Sequence, residues 1–346
     1  MKKIIFYLLA ISFLLLFSFS IYMYQGIYLG KDFDSDYLAF RVMPGDTILT
    51  IANNLEKEGI IGKDYFFLIY SRISNDSKKL KAGEYLFSSG INIPQIFDKM
   101  VEGSDNRLTI VEGWNLRDIA NYLEEEDLAL KDDFYHIVGK PPLFKDGELL
   151  QEEGRNFDHQ KEFLDNLEKE MTLEGYLFPD TYFISPGITT EEIVRMVLKN
   201  FKRKVVEGME EELKESEMSL FEIITIASLI EKEVRDYEEK RIVSGIIQKR
   251  LNSGMRLQID ATVTYLTGRR SVEVFIKETN IDSPYNTYFY SGIPKGPICN
   301  PGIESIRAAI NPKKSDYLYY LSKPTGETVF SRTFEEHVRA KNRYLK

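Results

Sequence analysis

The sequence predicts an α+β protein behind a single N-terminal transmembrane helix. Three observations carry this. A charge-free apolar run opens the chain, a strand–helix pattern then occurs twice, and helical periodicity afterwards alternates with short strand-like runs. At 346 residues the chain is long enough for about two domains. Its 43% hydrophobic content excludes wholesale disorder. The expected division is a cytoplasmic stub and transmembrane helix over 1–30, a small α+β module over 36–105, a second copy with an acidic insertion over 106–182, and a mixed helix and short-strand domain over 183–346.

The N-terminal element follows from length and charge. Ile4 to Gly30 is 27 residues without a charge, and Ile4–Tyr24 is apolar or aromatic apart from Ser12, Ser18 and Ser20. At about 1.5 Å per residue that stretch spans roughly 30 Å, the thickness of a hydrocarbon core. Lys2 and Lys3 precede it, and Lys31 is followed by Asp32, Asp34 and Asp36. The positive-inside bias keeps the N-terminus in the cytoplasm and sends the remainder outward. The competing reading is a cleaved signal peptide, for which Ser18-Phe19-Ser20 is a weak small-x-small site.

The first module begins at Val42-Met-Pro-Gly45-Asp-Thr47-Ile48. A strand ends at Gly45, Asp46 or Thr47 caps a helix, and Ile48, Ile51, Ala52 and Leu55 form its apolar face. The pattern recurs 68 residues later in Ile110-Val-Glu-Gly113-Trp-Asn115-Leu116, continuing through Ile119, Ala120 and Leu123. Ala82-Gly-Glu-Tyr85-Leu-Phe87 follows the first copy and Leu173-Glu-Gly-Tyr176-Leu-Phe178 the second, 91 residues apart, so the second copy carries 23 extra residues within the polar stretch Glu124–Glu170. The strand–helix unit resembles the LysM-like fold, a small module associated with binding N-acetyl sugars; a structural spacer is the alternative. Farther on, Thr189–Glu215 reads as one long charged helix with a solvated face. Asn311-Pro312 reads as a turn, Tyr317–Leu321 as a strand, and Thr333 with Glu336 as the capping box of a C-terminal helix.

Composition excludes several functions. With 45 basic and 54 acidic side chains and a net charge of −9, the chain lacks the cationic surface a nucleic-acid partner needs. Cys299 is the one cysteine, so no internal disulfide forms. His136, His159 and His337 lie far apart and show no metal-ligand spacing. No Gly-x-Gly or phosphate-loop pattern occurs, so no nucleotide cofactor is expected, and no metal or other cofactor either.

One segment carries chemistry. Ser219 and Glu222 form a capping box that opens the helix Leu220–Val234. Residues 220, 223, 224, 227, 230, 231 and 234 share one face, and Glu231 alone among them is not apolar. An unpaired carboxylate on a buried face costs several kcal/mol. A raised pKa removes that cost and leaves a protonated general acid. Glu222 and Glu233 point off the face and are expected to be solvated. Alternatively Glu231 pairs with a buried Arg or Lys, Arg256 for instance, and only fixes the fold.

Ala227-Ser-Leu-Ile-Glu231-Lys-Glu233 resembles the catalytic helix of the endolytic murein transglycosylase family, the YceG-like proteins. Further family marks stand in order around it: Leu173–Tyr182 before the helix, then Gly254-Met-Arg-Leu-Gln258-Ile-Asp260-Ala-Thr262-Val263, Ser283-Pro-Tyr285-Asn286-Thr-Tyr288, Gly292–Gly302 and Val329-Phe-Ser331. The resemblance spans the anchor, the LysM-like region and the C-terminal half. It implies that Glu231 is the catalytic residue and that 183–346 is a transglycosylase domain. Two departures stand out: Lys249 where relatives often carry Asn, and Ala261 where some carry Pro.

The reaction implied is non-hydrolytic cleavage of the β-1,4 bond between N-acetylmuramic acid and N-acetylglucosamine in peptidoglycan glycan strands. Protonated Glu231 gives its proton to the leaving oxygen, then as a base takes one from the muramoyl C6 hydroxyl, which closes a 1,6-anhydro ring. Peptidoglycan synthases are the implied protein partners and residues 4–24 the membrane contact. Lysozyme-like hydrolysis needs a second carboxylate, for which Asp260, Glu174 and Asp180 are candidates. Asp180 reads better as the cap of a turn after Pro179, and Glu174 as part of a strand. Tyr285 and Tyr288 offer rings for sugar stacking, while Gln258, Asp260, Asn286 and Asn300 can bond acetamido groups and hydroxyls. The same Asn residues can instead shape turns. A non-catalytic glycan-binding membrane anchor is the reading of a different class.

Overall fold

The computed structural model describes residues 2–33, 37–74, 79–103, 106–151, 153–154, 171–184, 187–269 and 274–345. Within the polar stretch that holds the insertion, positions 152 and 155–170, with His159, lie outside the described residues, as do the acidic linker positions 34–36. The chain forms two compact units. One comprises Met1–Leu108 with Thr181–Ile188, the other Thr109–Asp180 with Thr189–Lys346.

The smaller unit opens with α1 (Lys2–Tyr28), whose Leu9–Tyr28 portion is long and apolar enough to cross a membrane by length and composition. Then follow β1 (Tyr37–Val42), α2 (Ile48–Lys57), α3 (Asp64–Ser74), β2 (Gly83–Ser88), α4 (Ile93–Glu102) and β3 (Asn106–Ile110). Thr47 starts α2 as its cap, its hydroxyl accepting from Thr50 N at 3.1 Å, and the face expected to be apolar buries Ile51, Ala52 and Leu55. Strands β1 and β2 pair antiparallel, Tyr37 opposite Ser88 and Val42 opposite Gly83. Their core side is closed by Phe66, Phe67, Ile96, Phe97 and Met100 from α3 and α4.

The second copy repeats strand, turn and helix. After β3, Asn115 makes a capping box with Asp118 and starts α5 (Leu116–Glu125), which buries Leu116, Ile119, Ala120 and Leu123. Next come α6 (Lys131–Val138) and the hairpin β4 (Leu143–Lys145) and β5 (Glu148–Leu150). The return strand differs from expectation. Glu174–Tyr176 is a turn, and the partner of β3 is β6 (Asp180–Ile184). Gly175 makes that turn at φ +88°, a conformation that suits glycine and not a strand.

The long charged helix expected over 189–215 is broken into three. It runs as α7 (Thr190–Phe201), a π-helical turn over Lys202–Glu207, and α8 (Glu210–Glu215). Of these three, only α8 has no buried residue; α7 buries eight of its twelve, so it is a core helix. After it come α9 (Leu220–Glu233), α10 (Tyr237–Asn252), α11 (Asp260–Thr267) and α12 (Ile303–Ile310). The hairpin β7 (Tyr319–Ser322) and β8 (Thr328–Ser331) and the helix α13 (Phe334–Tyr344) close the unit. Helices α10 and α12 pack on α9. With thirteen α-helices and four two-stranded sheets among the described residues, the fold is α+β.

Candidate active site

The site is built on α9. Ser219 and Glu222 close a reciprocal capping box, Ser219 N donating to Glu222 Oε2 at 2.8 Å and Glu222 N to Ser219 Oγ at 3.3 Å. Residues Ile223 to Ile230 are then buried without interruption, so the helix is enclosed on all sides and has no single apolar stripe. Its polar residues hold neighbours. Ser228 Oγ accepts from Ile298 N at 3.1 Å and the Ser228 carbonyl from Cys299 Sγ at 3.3 Å, which fastens the Gly292–Gly302 segment to the helix. At the last turn Glu231 and Glu233 leave the core about 200° apart around the axis.

Glu231 turns into the framework. Its Oε2 accepts from Gly302 N at 3.0 Å and Ser305 Oγ at 2.6 Å, and Lys240 Nζ lies 3.4 Å from both oxygens. The two side chains of the ion pair are 4% and 9% exposed, Lys240 and Glu231 respectively. Of the two readings of Glu231, the structure shows the pairing with a buried cation: the side chain joins α9 to α10 and to the N-terminus of α12. Its cationic partner is Lys240, not Arg256, whose Nη1 donates to the Tyr288 carbonyl at 3.2 Å.

Glu233, expected to be solvated, turns into a cleft of 1870 Å³. Burial pushes its carboxyl up to about 7; the Tyr320 hydroxyl bonded to it works against that shift, the Asp260 charge adds to it, and Arg250 opposes it. Arg250 is held rigidly, Nε on the Leu318 carbonyl at 2.8 Å, Nη1 on that of Leu257 at 2.6 Å, and its guanidinium 5.0 Å from the Tyr319 ring centre. Trp114, Tyr122 and Tyr265 supply further aromatic lining.

The substrate residues expected from sequence divide into two groups. Gln258, Asp260 and Tyr288 line the cleft with Glu233. The Tyr288 hydroxyl donates to Asp260 Oδ1. Gln258 sits at φ +52°, a conformation rare for a side chain other than glycine, and its N–H donates to the Thr287 carbonyl at 3.1 Å. Thr287 also receives Ile259 N at 2.9 Å on its hydroxyl, which zips the two motifs together.

Tyr285, Asn286 and Asn300 belong to the framework instead, buried to 4%, 0% and 0% exposure. Asn286 Nδ2 donates to the carbonyls of Ile281 at 2.8 Å and Thr279 at 3.1 Å, and its Oδ1 accepts from Tyr288 N. Asn300 Nδ2 donates to the Trp114 carbonyl at 2.9 Å while its Oδ1 accepts from Leu177 N at 2.8 Å. Committed to backbone groups and, for Asn300, also to Glu174, these amides shape the site without facing the cleft.

Glu174 is a second buried acid, in the turn rather than in a strand. It accepts from Leu116 N at 3.1 Å, Tyr265 Oη at 3.2 Å and Asn300 Nδ2 at 3.4 Å. Burial nevertheless pushes it up to about 8. Asp180 pairs with Lys204 at 2.9 Å and accepts from Asn200 Nδ2 at 3.0 Å. Among the described residues no three His, Cys, Asp or Glu side chains are placed to hold a metal ion.

A model of the YceG-like family matches residues 40–343. The chain belongs to the YceG-like family. A Bacillus subtilis (strain 168) protein named endolytic murein transglycosylase is 33% identical over 316 residues, covering 88% of this chain and 84% of its own length. A Streptococcus pneumoniae (strain D39) protein of the same name is 29% identical over 327 residues, and the match spans 57% of that longer relative. The crystal structure of a yceG-like protein from Listeria monocytogenes superposes with a TM-score of 0.57 at 31% identity, covering 89% of this chain and 100% of that one.

Of the two departures from the YceG-like pattern, Lys249 reaches the Ser315 carbonyl and Ala261 lines the cleft. Cleft residues that sequence reasoning passed over are Glu233, Arg250, Tyr319 and Tyr320. Glu233 stood inside the quoted motif and was set aside by helical periodicity. A run of three tyrosines within Tyr317–Tyr320 was the available signal for the β7 wall.

Proposed function

We propose that this chain is a membrane-anchored, endolytic peptidoglycan lytic transglycosylase. It cuts the N-acetylmuramic acid–N-acetylglucosamine β-1,4 bond of nascent glycan strands, leaves 1,6-anhydro ends and so terminates elongation beside the peptidoglycan synthases. Its N-terminal apolar helix is the anchor, and the LysM-like region is an accessory glycan-binding surface. The observation that carries the reading is Glu233: a desolvated carboxyl near 7 that opens onto an aromatic and polar cleft in a YceG-like chain. We assign Glu233 as the acid and base, in place of Glu231.

The chemistry follows from that one group. At neutral pH a carboxyl with a pKa near 7 is present in both forms, as a proton donor and acceptor in turn requires. Protonated Glu233 donates to the glycosidic oxygen as the bond to C1 breaks. The carboxylate then accepts the proton of the C6 hydroxyl as its oxygen bonds to C1. An internal nucleophile gains its rate from proximity and dispenses with a positioned water. Tyr320, bonded to Glu233, orients the carboxyl throughout. Asp260 in the same cleft favours one alternative, lysozyme-like hydrolysis.

Full-length protein in detergent, alongside E233Q and E231Q, acts on purified glycan strands, and mass spectrometry reads the new ends. Ends lighter by one water, abolished by E233Q and retained at reduced yield by E231Q, are expected. Reducing ends would establish a hydrolase. Activity in E233Q together with none in E231Q would return the catalytic role to Glu231. Binding without cleavage by all three proteins would favour the non-catalytic anchor.

A further inference from the structure

Resting on the lytic reading of Glu233, we propose that Asp260 is a second catalytic group: a carboxylate that stabilises the positive charge developing at the anomeric carbon, held in place by Tyr288. Asp260 is the first residue of α11, its side chain is exposed, and it lines the cleft that Glu233 lines. The Tyr288 hydroxyl donates to Oδ1 and fixes the direction of the carboxylate.

The backbone beneath is equally constrained. Thr287 N lies 3.4 Å from Thr262 Oγ1, and Thr262 Oγ1 donates to the Ile259 carbonyl at 2.7 Å, so the residues before and after Asp260 are tied to the Tyr288 segment. The left-handed turn at Gln258 delivers the chain to that position. Such preorganisation lets a fixed charge act without reorganising during reaction. Asp260 is also close enough to Glu233 for its charge to help raise that carboxyl.

The bookkeeping of the step leaves Asp260 unchanged. Glu233 gives its proton to the glycosidic oxygen, and the electron pair of the C1–O bond departs with that oxygen. Positive charge spreads over C1 and the ring oxygen, facing Asp260. The C6 oxygen bonds to C1, its proton passes to Glu233, and the enzyme returns to its starting state. Asp260 neither gains nor loses a bond or a proton. Tyr288 is a positioning residue that acts through Asp260.

The test compares full-length wild type, D260N, Y288F and E233Q on uncrosslinked glycan strands, with kcat, KM and product ends measured across pH. D260N is expected to lower kcat about a hundredfold, the scale of losing one preorganised electrostatic partner, with KM unchanged and anhydro ends retained. Its alkaline limb should move to lower pH, because Glu233 loses a negative neighbour. Y288F should lose about tenfold. Unchanged kcat in D260N, a loss confined to KM, or a stationary alkaline limb would each overturn the proposal. E233Q separates the failures: cleavage surviving in E233Q overturns the lytic reading itself, whereas cleavage lost in E233Q and intact in D260N overturns only the role of Asp260.

Discussion

Glu231 and Glu233 are separated by one lysine, yet they lie in opposite surroundings. Glu231 has a lysine, a hydroxyl and a backbone N–H around it, while Glu233 has a phenol and a cleft. A general acid acts only while protonated, so with Glu233 in its proposed role activity should fall as pH rises through about 7. The Tyr320 hydrogen bond lowers that carboxyl, so Y320F should carry the alkaline limb upward in a pH–rate profile. A limb that stays still would separate Tyr320 from the acid. Glu174 bears on stability. Its folded carboxyl lies near 8 against an ordinary 4.5, so its favourable contribution is complete below 4.5 and is lost as pH rises through 8. Each pKa unit of that difference amounts to about 1.4 kcal/mol. Thermal unfolding of wild type should therefore weaken across that window, and E174Q should flatten the dependence.

At the scale of elements, the site depends on segments distant in sequence meeting on α9. The 173–178 turn reaches the 292–302 segment at Gly175, where an added Cβ would lie 2.6 Å from Pro297 Cβ and 2.8 Å from Ile224 Cγ2. G175A combines that overlap with a φ of +88°, so it should destabilise the chain by more than about 1 kcal/mol. G292A meets the positive φ alone, with nothing within 4 Å, and should cost less. Urea unfolding midpoints measured side by side check the ordering; equal midpoints would mean the turn yields to the methyl group. The same packing explains the division of the asparagines. Asn300 ties the Trp114 segment to the Leu177 turn because a buried loop must satisfy its backbone groups, and this leaves its amide nothing to offer a sugar.

For the whole molecule, the N-terminal helix predicts how the protein fractionates. Full-length protein should remain with membranes through an alkaline wash, and a chain starting at Lys31 should be released. Recovery of a mature protein whose N-terminus falls just after Ser20 would instead identify a cleaved signal. The balance of 54 carboxylates against 45 cations disfavours adhesion to anionic lipid, so in the proposed anchoring the apolar helix supplies the membrane affinity.

The sequence by itself determined the α+β class, the apolar helix, the caps at Asn115 and Ser219, the choice of Asp46 or Thr47 for the cap of α2, and the family motifs around α9. These features are local: a cap needs only three neighbouring residues, and a spanning helix only length and the absence of charge. Only the tertiary structure decided which glutamate faces the cleft. Helical periodicity finds a buried face where one side is wet, and α9 is enclosed from Ile223 to Ile230, so the stripe through Glu231 held no information about solvent. What separates the two carboxyls lies far along the chain, Ser305 and Lys240 beside one, Tyr320 and Asp260 beside the other. Long-range packing sets the dielectric and the partners of a buried charge, and those set its chemistry.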